Sequence, residues 1–184
     1  MTRKLSPEWI TSIFTAVLAV TGAGALWYAH EQIAEAHNEA QIQHLLSLDQ
    51  QYNSEPMVTY RKACAQKRLA GEDYPEEEDR ILGFFENVGL LVNRGYLNDT
   101  DVWEDFSTDI FSYYADSREM IEQDQKDDKP EFSNLVSLVQ RLEVIEQAHG
   151  GTLAKPSKDD LKDFWDSEVS IGTVSPNKHR PSKR

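Results

Sequence analysis

Two kinds of apolar spacing divide the chain. From Trp9 to Tyr28 apolar and small residues run together, WITSIFTAVLAVTGAGALWY, twenty positions with no acidic, basic or histidine side chain. A helix of that length rises about 30 Å, the thickness of a bilayer's hydrocarbon core. Trp9 at one end and Trp27 and Tyr28 at the other stand where amphipathic rings favour the headgroup region. The run predicts a transmembrane anchor within residues 1–29. A cleaved signal peptide is the competing reading, because Arg3 and Lys4 form a basic start and Gly22-Ala23-Gly24-Ala25 resembles a cleavage site. Glu8 before the run, and the continuation of the run to an aromatic pair, favour retention.

No proline or glycine interrupts residues 25–52, so the helix is expected to continue as a stalk over residues 30–53. Leu26, Ile33 and Ala40 recur every seven residues with Ala29 and Ala36 between them, a short seam through which two copies could pair. His30, His37 and His44 share that spacing and so lie along one side. A solvated face is the plain reading. The sharper one is a pH-sensitive stripe or a set of metal ligands, although ligands on one helix usually sit four residues apart rather than seven.

Beyond residue 54 the spacing becomes three and four, which predicts an all-α bundle of four to five helices over residues 54–169. Ser54-Glu55-Pro56 starts a helix over about 55–70, with Met57, Tyr60 and Cys64 on its apolar side. EDYPEEED, residues 72–79, reads as an exposed loop. Ile81, Phe85, Val88 and Val92 mark the core helix, with Gly89 allowing a second helix to approach and Gly95 at the left-handed position after its end. Glu86 stands among these apolar neighbours, and a buried carboxylate needs a partner. Arg61 is the expected one, in a structural ion pair. Asn98 opens a helix over about 100–117, in which Asp101, Asp105 and Asp109 form a row expected to be solvated. A further helix follows Pro130, and Ser157 with Asp160 forms a capping box for the last. Residues 170–184 lose periodicity and end in SPNKHRPSKR, a basic tail expected to be disordered.

Charge and chemistry narrow the function classes. The net charge of −13 and pI near 4.7 argue against direct nucleic-acid binding. A single cysteine, Cys64, permits no internal disulfide and has no neighbouring histidine in sequence to activate it. Glu146 and His149 form one E-x-x-H pair, where a di-iron bundle needs two with further glutamates. These residues suggest neither a catalytic set, a metal site nor a cofactor site. They point away from an enzyme.

The segments EWITSIFTAV, NSEPMVTYRKA, FFENVGLLVNRGYL and VWEDF to SYY together resemble a bacterial family of short single-pass membrane proteins, domain of unknown function 4760. Arg61, Phe85, Glu86, Gly89 and Gly95 carry the resemblance, which implies fold determinants and no catalytic residue. It also implies an inner-membrane protein with a cytoplasmic domain, although family members often have arginine-rich stalks and this stalk carries Glu31, Glu35 and Glu39. Arg3 and Lys4 before the anchor favour the opposite orientation. The expected function is a membrane-anchored, non-enzymatic helical module for oligomerisation, partner docking or signalling. The alternative is a membrane-anchored effector of a bacterial defence or toxin-like system that senses a ligand and perturbs the membrane. The expected partners are the bilayer through residues 9–28, a second copy through the stalk, and an unidentified protein.

Overall fold

The computed structural model describes residues 7–127 and 130–172, with side chains described at 21, 27–33 and 35–126 in the first stretch and throughout the second. Among the described residues the six elements are all helices: α1 Pro7–Tyr52, α2 Glu55–Leu69, α3 Glu76–Asn93, α4 Asp99–Asp127, α5 Ser133–Ala148 and α6 Lys158–Val169. Contacts divide the chain into two units, Met1–Ile42 and Gln43–Arg184. Among the described residues no helix is long and apolar enough to cross a membrane. Of the run from Trp9 to Tyr28, only Thr21, Trp27 and Tyr28 have described side chains, so the expected anchor lies almost wholly outside them.

In the first unit the stalk faces solvent. Ile33 and Ile42 are exposed, as are Ala29, Ala36 and Ala40; the Leu26 side chain is among those not described. The stalk does not remain outside the bundle as far as residue 53. Leu48 and Tyr52, in the last turns of α1, are buried in the core of the second unit. Asn53 closes the helix by donating from Nδ2 to the Asp49 carbonyl at 3.0 Å and to Asp49 Oδ1 at 2.7 Å.

In the second unit α3 lies between α2 and α5, α6 covers α2, and α4 packs on α5 and more lightly on α3 and α6. The core is aromatic at its centre. Tyr52 stacks on Phe84 at 5.2 Å, meets Phe106 edge-on at 5.6 Å, and Tyr113 meets Phe164 and Trp165 edge-on at 5.3 and 5.1 Å. Such offset and edge contacts suit the ring quadrupoles.

Helix ends follow local chemistry. At the end of α3, Gly95 adopts φ 74°, its N–H donates to Val92 O, and Tyr96 N–H donates to Leu91 O, the paired bonds that close a helix through a left-handed residue. Ser157 and Asp160 exchange both bonds of a capping box before α6. Two boundaries differ from the sequence expectation. The acidic stretch at 76–79 is the first turn of α3, where carboxylates face the positive end of the helix dipole. The helix expected over about 100–117 runs on to Asp127 and is anchored by buried Ile121.

Gly89 marks the closest approach of α3 to α5. A Cβ there would be driven into the Asn134 carbonyl and lie 2.6 Å from its carbon. Backbone cannot yield as a flexible side-chain tip can.

Candidate functional site

The apolar stripe of α2 contains charge. Arg61, Cys64, Ala65 and Arg68 fall at i, i+3, i+4 and i+7, so the turn that buries Cys64 and Ala65 also carries the two arginines inward. Each finds an acid on another helix's buried stripe. Arg61 Nε and Nη2 donate to Glu168 Oε2 and Oε1, both at 2.7 Å, a two-pronged pair joining α2 to α6. Arg61 Nη2 also lies 3.8 Å from Asp109 Oδ1, and the guanidinium sits 3.9 Å over the Tyr52 ring. Tyr113 donates its hydroxyl to Glu168 Oε2 at 3.1 Å. Burial alone would lower the Arg61 pKa; its hydrogen bonds to Glu168 and the charges around it raise it instead.

Arg68 makes the second pair. Its Nη2 meets Glu78 Oε2 at 2.5 Å, its Nε lies 3.2 Å from Asp116 Oδ2, and Ser117 Oγ donates to the other Glu78 oxygen. Burial nevertheless pushes the Glu78 pKa up, against the opposing pull of Ser117 and Arg68.

The expected Arg61–Glu86 pair is therefore a correction: the two side chains do not meet. Glu86 is half-buried and accepts from Asn134 N at 3.2 Å, Asn134 Nδ2 at 2.6 Å and Leu135 N at 2.7 Å. It caps α5 from a neighbouring helix. The reason is local, because α5 is preceded by Phe132, which has no capping oxygen in its side chain and adopts φ 52°. The N–H groups a Ser or Asp at that position would satisfy are satisfied by α3.

The row Asp101, Asp105, Asp109 also departs from expectation, because Asp109 is buried beside Arg61 rather than solvated. Glu146, at the end of α5, is buried and accepts from Trp103 Nε1 at 2.9 Å and Leu153 N at 3.0 Å. His149 stacks on the Trp103 ring at 4.4 Å and uses Nδ1 against the Ile145 carbonyl. Glu146 is thus occupied as an acceptor and His149 as an aromatic cover. Cys64 is fully buried, and burial pushes its thiol far above the ordinary range. His30 and His37 are exposed in the first unit, and His44, exposed in the second, has its ring 6.3 Å from that of Tyr96. Among the described residues no three His, Cys, Asp or Glu side chains gather where they could hold a metal ion.

One cleft collects several of these groups. It encloses about 360 Å³ and is lined by Asp49 and Tyr52 of α1, Arg61 of α2, Asp105 and Asp109 of α4, and Glu168 of α6, with Ile171 at its edge. Four carboxylates stand there against one guanidinium. Burial raises the Asp105 pKa, and the nearby charges of Asp49 and Glu104 raise it further. The arrangement suits binding of positive charge and contains no nucleophile held by a base.

No protein-family model matches the chain, no curated protein matches it, and no solved structure matches its fold.

Proposed function

We propose that the protein is a membrane-anchored, non-enzymatic helical module that pairs with a second copy through its stalk and docks a partner with its acidic bundle. The observation that carries this reading is the exposure of the seam residues Ile33, at 71%, Ala29, Ala36 and Ala40, on a helix whose final turns are buried in the bundle core. Isolated apolar side chains in water are common, but a recurring stripe on a helix calls for a covering partner. The apolar run at residues 9–28 supplies the anchor, and placement in the inner membrane with a cytoplasmic domain is part of the same proposal. The buried charged side chains Arg61, Glu78, Asp109, Glu146 and Glu168 each face a partner on another element, which suits a scaffold.

Ile33→Cys tests the self-pairing. In native membranes under mild oxidant the variant should form a disulfide-linked dimer, whereas the parent should not, because its Cys64 is buried. A monomer at every oxidant level would exclude a stalk dimer. The second reading, an anchored effector that senses a ligand, is favoured by the acid-lined cleft. It requires membrane depolarisation on overexpression, which an adaptor would not produce.

A further inference from the structure

We infer that the cleft edged by Ile171 is a binding site for an organic cation carrying ammonium or guanidinium groups. This rests on the geometry of the second unit and not on the anchor or the stalk dimer, so the two stand or fall separately.

Charge is the first observation. Asp49, Asp105, Asp109 and Glu168 line the cleft, and the one cation lining it among the described residues, Arg61, is already committed to Glu168 through Nε and Nη2. Asp109 lies 3.8 Å from Arg61 Nη2, which leaves Asp49 and Asp105 as the acids in excess. Among the described residues the Asp49 carboxylate receives a hydrogen bond from the neutral amide of Asn53 alone, and Asp105 is crowded by the charges of Asp49 and Glu104. A positively charged ligand relieves that repulsion.

The second observation is independent of it. Tyr52 is 3% exposed and lines the cleft, yet among the described residues its hydroxyl has no hydrogen-bond partner. Arg61, which also lines the cleft, sits 3.9 Å over the Tyr52 ring. A buried hydroxyl left unpaired is costly, and native structures rarely keep one without a purpose. An N–H donor entering the cleft would find in it an acceptor beside carboxylates.

The third is size and distribution. About 360 Å³ is within the range of small-molecule sites. The acids are spread over α1, α4 and α6 instead of converging, and among the described residues no cluster could hold a metal ion. Spread acceptors match a ligand with several N–H groups better than a point charge.

The same chemistry is present in the chain itself. Residues 173–184, TVSPNKHRPSKR, contain Lys178, Arg180, Lys183 and Arg184 and no acid, and they begin two positions after Ile171. A free polyamine and this basic segment are two sources of one recognised group.

Spermidine titrated calorimetrically into the full chain, held in phosphatidylcholine nanodiscs at constant ionic strength, separates them. A second chain with Lys178→Gln, Arg180→Gln, Lys183→Gln and Arg184→Gln is run beside it. Saturable binding to the parent identifies a free amine as ligand; binding only to the neutralised chain identifies its own basic segment as the occupant. In the chain that binds, Asp49→Asn with Asp105→Asn should weaken affinity at least tenfold. Tyr52→Phe should weaken it several-fold without lowering the melting temperature. No saturable binding to either chain overturns the inference. So does unchanged affinity in the Asp49→Asn/Asp105→Asn or the Tyr52→Phe chain, or equal displacement by Mg²⁺ at matched ionic strength.

Discussion

Glu86 shows how much one side chain can do away from any reaction. Its carboxylate receives the first free N–H groups of α5 and the Asn134 amide, so one residue caps one helix and ties it to another. Glu86→Ala is expected to destabilise the bundle by about 1–2 kcal/mol, the range for loss of a helix cap, measured by urea unfolding. Its effect should be concentrated in the amide-exchange protection of α5. Glu78 behaves differently, because burial raises its pKa above the ordinary 4.5 despite Arg68 and Ser117. A carboxyl whose pKa is higher folded than unfolded holds its proton more tightly in the fold. Its contribution to stability is complete below about pH 4.5 and is lost as pH rises through the folded pKa. Glu78→Gln should therefore flatten the fall in stability above pH 4.5, and an unchanged slope would show that Glu78 is not its source.

At the scale of elements, paired charges decide which helices hold each other. The Arg61–Glu168 pair is the polar seam between α2 and α6, with Tyr113 of α4 donating to it. Arg61→Met leaves Glu168 buried without its cation and is expected to cost about 3–5 kcal/mol. Glu168→Leu added to Arg61→Met should recover most of that loss, since a fully apolar seam has no stranded charge. A double-mutant cycle in urea unfolding measures the coupling. Close approach governs the α3–α5 contact instead. Alanine has a better helix propensity than glycine by about 1 kcal/mol. Even so, Gly89→Ala should destabilise by about 1–3 kcal/mol in the same assay, because its Cβ would meet the backbone at Asn134.

At the scale of the whole molecule, the proposed anchor and the bundle make different demands. The run of residues 9–28 has no charge to hold it in water, while the bundle contributes most of an acidic chain of net charge −13. Membranes washed with alkaline carbonate should keep the full chain. Recovery in the supernatant, or a mature protein starting near His30, would remove the anchored reading. The acidic bundle also repels anionic lipid headgroups, so the proposed attachment rests on that run and not on the surface of α2 to α6.

How far the chain could be read without its fold depends on the range of the force involved. Helix positions, the capping box at Ser157 and the turn at Gly95 are set by residues within a few positions of each other, so spacing and composition were enough to place them. In the fold Arg61, Glu78, Glu146 and Glu168 are buried, although Glu78 had been read as part of an exposed loop. Of the four, sequence reasoning took Arg61 as an ion-pair member and matched it with Glu86, the nearest acid that stood out. Choosing Glu168 for Arg61 meant knowing that α6 lies over α2, a contact across 107 residues. The cleft was equally hidden, because Asp49, Asp105 and Glu168 become neighbours only after three helices pack. Short-range sterics and hydrogen bonding determined the elements; desolvation decided the partners, since a buried charge accepts whichever opposite charge the packing brings within reach.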